Sequence, residues 1–103
     1  MPLDRLKRTT TNENLWLYIL TLLKRKPLYA YEIREQIKGA FGFDIGSVTA
    51  YLVLYSLERK GFVDTKWSME EGRQRKYYYI TKDGRQTLKQ GVDYLKNLAE
   101  RLG

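Results

Sequence analysis

The hydrophobic period of this chain changes twice, and few folds accommodate that order. From Leu15 to Gly61 apolar residues recur every three or four positions. From Phe62 to Ile80 they gather into two short aromatic and β-branched runs. Helical spacing then returns from Leu88 to Leu102. A period near 3.6 marks amphipathic helices and an alternating, β-branched run marks strands. The order is therefore three helices, a β-hairpin and a longer helix.

The segments can be bounded from their ends. Residues 1–12 form a basic N-terminal arm holding Arg5, Lys7 and Arg8, read as a flexible tail or the start of a helix. Residues 13–25 form the first core helix. Leu15, Ile19, Leu22 and Leu23 make its stripe, and Pro27 closes it. Residues 30–39 form the second, on Ile33 and Ile37, with Gly39 as its C-cap. Residues 47–60 form the third, with Ser47 as N-cap and Ala50, Leu54 and Leu57 facing inward. Strands are expected at 62–67 and 76–80. The charged stretch between them is longer than a two-residue turn. In the second strand Tyr78 points away from Tyr77 and Tyr79. Residues 82–103 are helical, capped by Thr81. Leu88, Val92, Leu95, Ala99 and Leu102 follow an a/d heptad spacing.

Charge and composition narrow the function. Nineteen Lys and Arg against twelve Asp and Glu give a formal net charge of +7, and neither Cys nor His is present. Thiol or imidazole catalysis, disulfides and Cys/His zinc sites are thereby excluded. Nothing pairs the carboxylates in a recognisable catalytic spacing and no Gly-rich phosphate loop occurs, so no enzyme and no cofactor is expected. No apolar run is long enough to span a membrane, and the N-terminus lacks a secretory pattern. The chain is expected in the cytoplasm, associated with the nucleoid. The positive excess points to an anionic partner, nucleic acid first.

The fold class read from this order is mainly α with a β-hairpin wing (α+β). It is a winged helix-turn-helix over residues 13–81, followed by a C-terminal dimerisation helix over 82–103. In such a fold the third helix enters the major groove and the wing lies on the flanking backbone or minor groove. The candidate DNA-binding residues are Ser47, Thr49 and Tyr51 on helix 47–60, Arg73, Arg75 and Lys76 on wing 67–76, and Arg5 and Arg8 on the arm. Glu70 and Glu71 oppose a phosphate contact and are expected on the outer side of the wing. Charge is divided: the arm and the segment Lys66–Lys76 each hold a net +2, and helix 47–60 only +1. The heptad stripe, with Trp16, is the candidate interface of a two-fold homodimer: Leu88, Val92, Leu95, Ala99 and Leu102.

Three segments in this order resemble the PadR family of winged-helix transcriptional repressors, over about residues 14–103. They are Leu28-Tyr29-Ala30-Tyr31-Glu32-Ile33, then Thr49-Ala50-Tyr51 through Leu57-Glu58-Arg59-Lys60-Gly61, then Arg75-Lys76-Tyr77-Tyr78 through Thr81-Lys82-Asp83-Gly84. The last two are similar to the family's Thr-x-Tyr-x-x-Leu-x-x-Leu-Glu-x-x-Gly and Arg-Lys-Tyr-Tyr-x-x-Thr-x-x-Gly patterns. Leu52 stands where the family commonly has proline, and Val48 where glycine is frequent, so base specificity does not transfer. The single C-terminal helix resembles the family's compact subgroup. Some compact relatives bind aromatic drugs at the dimer interface; no Trp occurs in residues 82–103, so that property is not carried over.

The resemblance implies a repressor that binds a pseudo-palindromic operator on double-stranded DNA as a homodimer. Half-sites are expected about 10 bp apart or a multiple of that. Affinity is expected to fall steeply with salt. The alternative is a winged-helix protein-interaction module or a non-specific architectural DNA binder, which footprinting separates from a regulator. Without Cys or His, the signals open to such a regulator are a small aromatic effector or its own abundance.

Overall fold

The computed structural model describes residues 1–103. In chain order it has α1 (Pro2–Thr9), a 3₁₀ turn (Asn12–Asn14), α2 (Leu15–Arg25), β1 (Leu28–Tyr29), α3 (Ala30–Phe41), α4 (Ser47–Arg59), β2 (Val63–Glu70), β3 (Arg73–Ile80) and α5 (Lys82–Leu102). The order is that of a winged helix-turn-helix, mostly helical with a small antiparallel sheet.

The core forms where the helical stripes and the sheet meet. Sixteen buried apolar residues make one cluster, and no charged side chain is buried. α2 supplies Leu15, Ile19, Leu20, Leu22 and Leu23; α3 adds Ile33 and Ile37; α4 adds Ala50, Leu54 and Leu57. The connector between α3 and α4 is pinned from both sides. Ile45 is buried, Arg34 Nε donates to the Ile45 carbonyl at 3.1 Å, and Phe41 and Phe43 meet the Tyr18 ring edge-on at 4.8 and 5.0 Å. Those contacts fix the angle at which α4 leaves the core.

The sheet differs from the sequence reading in three ways. It has three strands, in the order β1-β3-β2, because Leu28 and Tyr29 pair with Tyr78 and Tyr77. The wing strands run further than 62–67 and 76–80: the ladder extends from Val63–Ile80 to Glu70–Arg73. The turn is therefore only Glu71-Gly72, both with positive φ (49° and 76°), the conformation a tight hairpin needs. Tyr78 is buried and Tyr79 exposed, as the alternation requires.

Two caps also differ. Gly46, not Ser47, is the N-cap of α4, leaving Ser47 as the first helical residue with its hydroxyl free of capping duty. Gly39 lies inside α3, which runs on to Phe41 and ends at Gly42 in the left-handed conformation. The basic arm is helical over Pro2–Thr9, and Thr9, Thr10 and Thr11 hydroxyls bond back to its last carbonyls.

α5 starts as the sequence requires: Thr81 Oγ1 accepts from Gly84 N at 3.0 Å. Gly84 is buried because the chain passes close by. A Cβ there would collide with the Phe62 carbonyl and lie 2.8 Å from Ile80 Cγ1. Replacing Gly84 by alanine must move backbone, at a cost of about 1–3 kcal/mol. G84A should lower the thermal midpoint although alanine is the better helix former. An unchanged or raised midpoint would show that this close approach does not matter.

Candidate nucleic-acid interface

α4 is held from one side and bare on the other. Ala50, Leu54 and Leu57 anchor it, while Ser47, Val48, Thr49, Tyr51, Leu52 and Tyr55 stand in solvent. Ser47 and Thr49 are thus exposed near the helix N-terminus, where base-reading residues of a helix-turn-helix lie.

Between α4, the first turn of α3 and the wing runs an open groove of about 600 Å³. It brings together four of the residues picked from the sequence: Tyr51, Arg73, Arg75 and Lys76. It also contains Tyr29, Tyr31 and Trp67, which the sequence pattern does not single out. Tyr29 belongs to a family-like segment, but its place at the groove is not legible because a two-residue strand has no alternation to read. Tyr31 and Trp67 are 60 % and 61 % exposed, which periodicity alone does not disclose for aromatic residues.

The wing cations differ in how free they are. Arg73, beside the turn, is exposed and makes no ion pair. Arg75 lies with its guanidinium 4.4 Å from the Tyr29 ring centre, and its Nε is 3.7 Å from Glu70 Oε2. That distance is too long for a hydrogen bond, and this buried N–H has no other acceptor. Lys76 Nζ is 3.4 Å from Glu58 Oε1, and Glu58 also accepts from Thr65 at 3.3 Å. Lys76 is therefore partly committed within its own chain, eighteen residues from its partner in sequence.

Glu70 is not simply an outward charge. Both its carboxylate oxygens accept from the Tyr77 hydroxyl at 2.8 Å, and Tyr77 meets Tyr29 edge-on at 5.6 Å. Glu70 thus ties the Tyr77 ring and Arg75 to one side of the wing. Glu71, at the turn, is exposed as expected.

The remaining candidates lie elsewhere. Arg5 and Arg8 are on α1, which packs mainly on the 3₁₀ turn, and neither lines the groove. Arg8 pairs with Glu13 at 3.5 Å; Arg5 has no ion pair. The heptad stripe divides. Leu88 is 3 % exposed in its own core, so it has no surface left for a partner, and Val92 packs half-buried against that core. Trp16 is half-buried too, its ring edge against Gly91. Leu95, Ala99 and Leu102 are exposed. An apolar hollow of about 390 Å³, lined by Trp16, Leu17, Tyr18, Tyr94 and Leu95 among others, lies between α2 and α5. No helix is long and apolar enough to cross a membrane.

A helix presented outward from a small core beside a two-stranded wing, with a basic aromatic groove between them, defines a winged-helix DNA-binding protein. Residues 19–90 match the profile of the Transcriptional regulator PadR-like family, and the chain belongs to that family. It is accordingly a DNA-binding transcription regulator. Solved structures share the fold over three quarters or more of the chain. A PadR-like transcription factor from Bacteroides fragilis is 28 % identical, with a TM-score of 0.80 over 96 % of each chain. A PadR family regulator from Clostridium difficile is 31 % identical, with a TM-score of 0.72 over 85 % of this chain and 97 % of that one. Bacillus subtilis PadR, solved in complex with operator DNA, is 26 % identical, with a TM-score of 0.71 over 76 % of this chain and 45 % of that one.

The Glu70–Tyr77 hydrogen bond has a measurable signature. That bond, with smaller contributions from burial and from nearby charge, pushes the Tyr77 phenol up to about 12. Only the protonated phenol can donate. The bond is therefore intact below the ordinary tyrosine value of about 10 and breaks as pH rises through about 12. In a phenolate absorbance titration, Glu70→Ala should move one of the nine tyrosines back toward 10. A profile identical to wild type between pH 10 and 12 would rule the bond out.

Proposed function

We propose that this chain is a homodimeric repressor acting on a pseudo-palindromic operator in the cytoplasm, at the nucleoid. α4 of each subunit enters the major groove and each wing grips the flanking backbone or minor groove. The observation that carries this reading is the groove between α4 and the wing, where Arg73 stands unpaired next to the bare face of a firmly anchored helix. Ser47, Thr49 and Tyr51 offer hydroxyls to bases and phosphates. Arg73 neutralises a phosphate directly. Arg75 follows, because a part-exposed ion pair such as that with Glu70 is worth only about 0.2–1 kcal/mol and a phosphate can displace it. Lys76 acts mainly by holding Glu58 away from the DNA. Arg5 adds a phosphate contact from α1, and Arg8 does so by leaving Glu13.

Dimerisation uses the free half of α5. Tyr94, Leu95, Leu98 and Leu102 form an exposed apolar stretch beside the hollow against α2. A second copy covers that stretch, with Val92 and Trp16 at its edge. The aromatic wall of the same hollow, Trp16, Tyr18 and Tyr94, is where a small aromatic effector acts on the dimer.

Footprinting on duplexes selected from random DNA should give a bounded, two-fold symmetric protection; uniform protection would point instead to an architectural protein. R73A should flatten the dependence of log affinity on log salt by about 0.9 for each phosphate no longer neutralised, hence about two units for a dimer. An unchanged slope would remove Arg73 from the interface. Leu95→Asp should convert the dimer to a folded monomer in sedimentation equilibrium. A wild-type chain that is already monomeric at micromolar concentration would overturn the dimeric reading.

A further inference from the structure

Up to its last turn, the outward face of α4 lacks every side chain that can hold a base by two hydrogen bonds. Residues 47–57 contain no Arg, Lys, Asn, Gln, Asp or Glu. Guanine is ordinarily read by Arg or Lys, adenine by Asn or Gln, and cytosine by Asp or Glu. The first charged residues of the helix stand only at its C-terminal end, Glu58 tied to the wing and Arg59 exposed beside an exposed tyrosine. Glu58 holds Lys76 and Thr65, and Arg59 lies 5.8 Å from the Tyr55 ring centre. Ser47 and Thr49 add hydroxyls, which pair with more than one base and discriminate little.

What the face does present is apolar. Val48 is 71 % exposed and Leu52 63 %, one helical turn apart, and Tyr55 continues the stripe. An apolar stripe left in water, on a helix that ends in exposed Arg59 and whose Tyr51 shares the groove with unpaired Arg73, calls for a partner that is both polyanionic and locally apolar. The major groove offers one such group at its base edges, the C5-methyl of thymine. We propose that Val48 and Leu52 read thymine methyl groups, so that the half-site under α4 is recognised as A·T pairs by where their methyls lie. This rests on α4 occupying the major groove. Residues four apart on a helix are about 6 Å apart along its axis. Base pairs are spaced about 3.4 Å. The two methyls therefore lie about two base steps apart.

The test uses the full chain and the duplex it selects best from random DNA. That duplex is remade with deoxyuridine in place of thymine, which deletes the methyl and leaves the pairing hydrogen bonds unchanged. Removing each methyl under α4 should weaken binding about fourfold. Binding to an unrelated duplex substituted in the same way should not change. The double variant V48A/L52A truncates only exposed side chains, and should bind the thymine and uracil sites equally. Equal wild-type affinity for the two sites would overturn the proposal and leave DNA binding standing. So would an equal fall in affinity on the unrelated duplex, or a selected half-site built on G·C pairs under α4. A chain that selects no duplex, and instead associates through Val48 and Leu52 with itself or another protein, would overturn the DNA reading as well.

Discussion

The burial of Leu15, Ile19, Leu20, Leu22 and Leu23 along α2 is the interaction on which the other elements depend. α2 touches α3, α4, α5 and β3. Burying one such side chain is worth about 1.5–3 kcal/mol before entropy is counted. Five of them make a gross gain of the same order as the whole net stability of a domain, about 5–15 kcal/mol. Because so much of the apolar surface gathers on one helix, α4 needs only a narrow inner stripe to be held. Its opposite face is left without structural duty, and that release is what makes a recognition surface available in a chain of 103 residues.

The wing follows a different logic. It has little core of its own beyond Val63, Tyr78 and Ile80, and its outer half is organised by polar contacts. Glu58 and Glu70 are the organisers, one on α4 and one at the end of β2. Each binds a cation of β3 and a hydroxyl: Lys76 and Thr65 for Glu58, Arg75 and Tyr77 for Glu70. A carboxylate near the edge proposed to bind phosphate looks like an error on charge alone. Here it sets which cation stands free and which are held ready.

The helices of the core are legible in the sequence because a stripe repeated over two or three turns survives errors at its ends. Their ends are less so. Ser47 is the better capping residue by type, yet Gly46 takes the position because the connector, fixed by Ile45 and Arg34, brings the chain into helix one residue earlier. The hairpin tip is hidden because Ser68, Met69 and Glu70 have no strand pattern; they are held in register by pairing with Arg75, Gln74 and Arg73. Glu71 also adopts a positive φ without the usual Asn or Gly. The heptad arithmetic of residues 88–102 is sound, but spacing cannot tell an intramolecular face from a free one. Leu88 goes to its own core, and Leu102 stays in water. The position of the wing cations can be read along the chain and their availability cannot, since ion pairing across eighteen residues leaves no local trace.

The core contains no ionisable group except the phenol of Tyr78, so the charges outside Arg34 and the Glu58 and Glu70 clusters sit where they can be changed without disturbing packing. At those positions fold and electrostatics are decoupled. The chain can drift in charge through substitutions on α1, the wing tip or the outer side of α5 while the same sixteen residues continue to specify its shape. Duplicated copies of such a gene could diverge in DNA affinity long before they diverged in architecture, and an engineer could retune one property with the other held fixed.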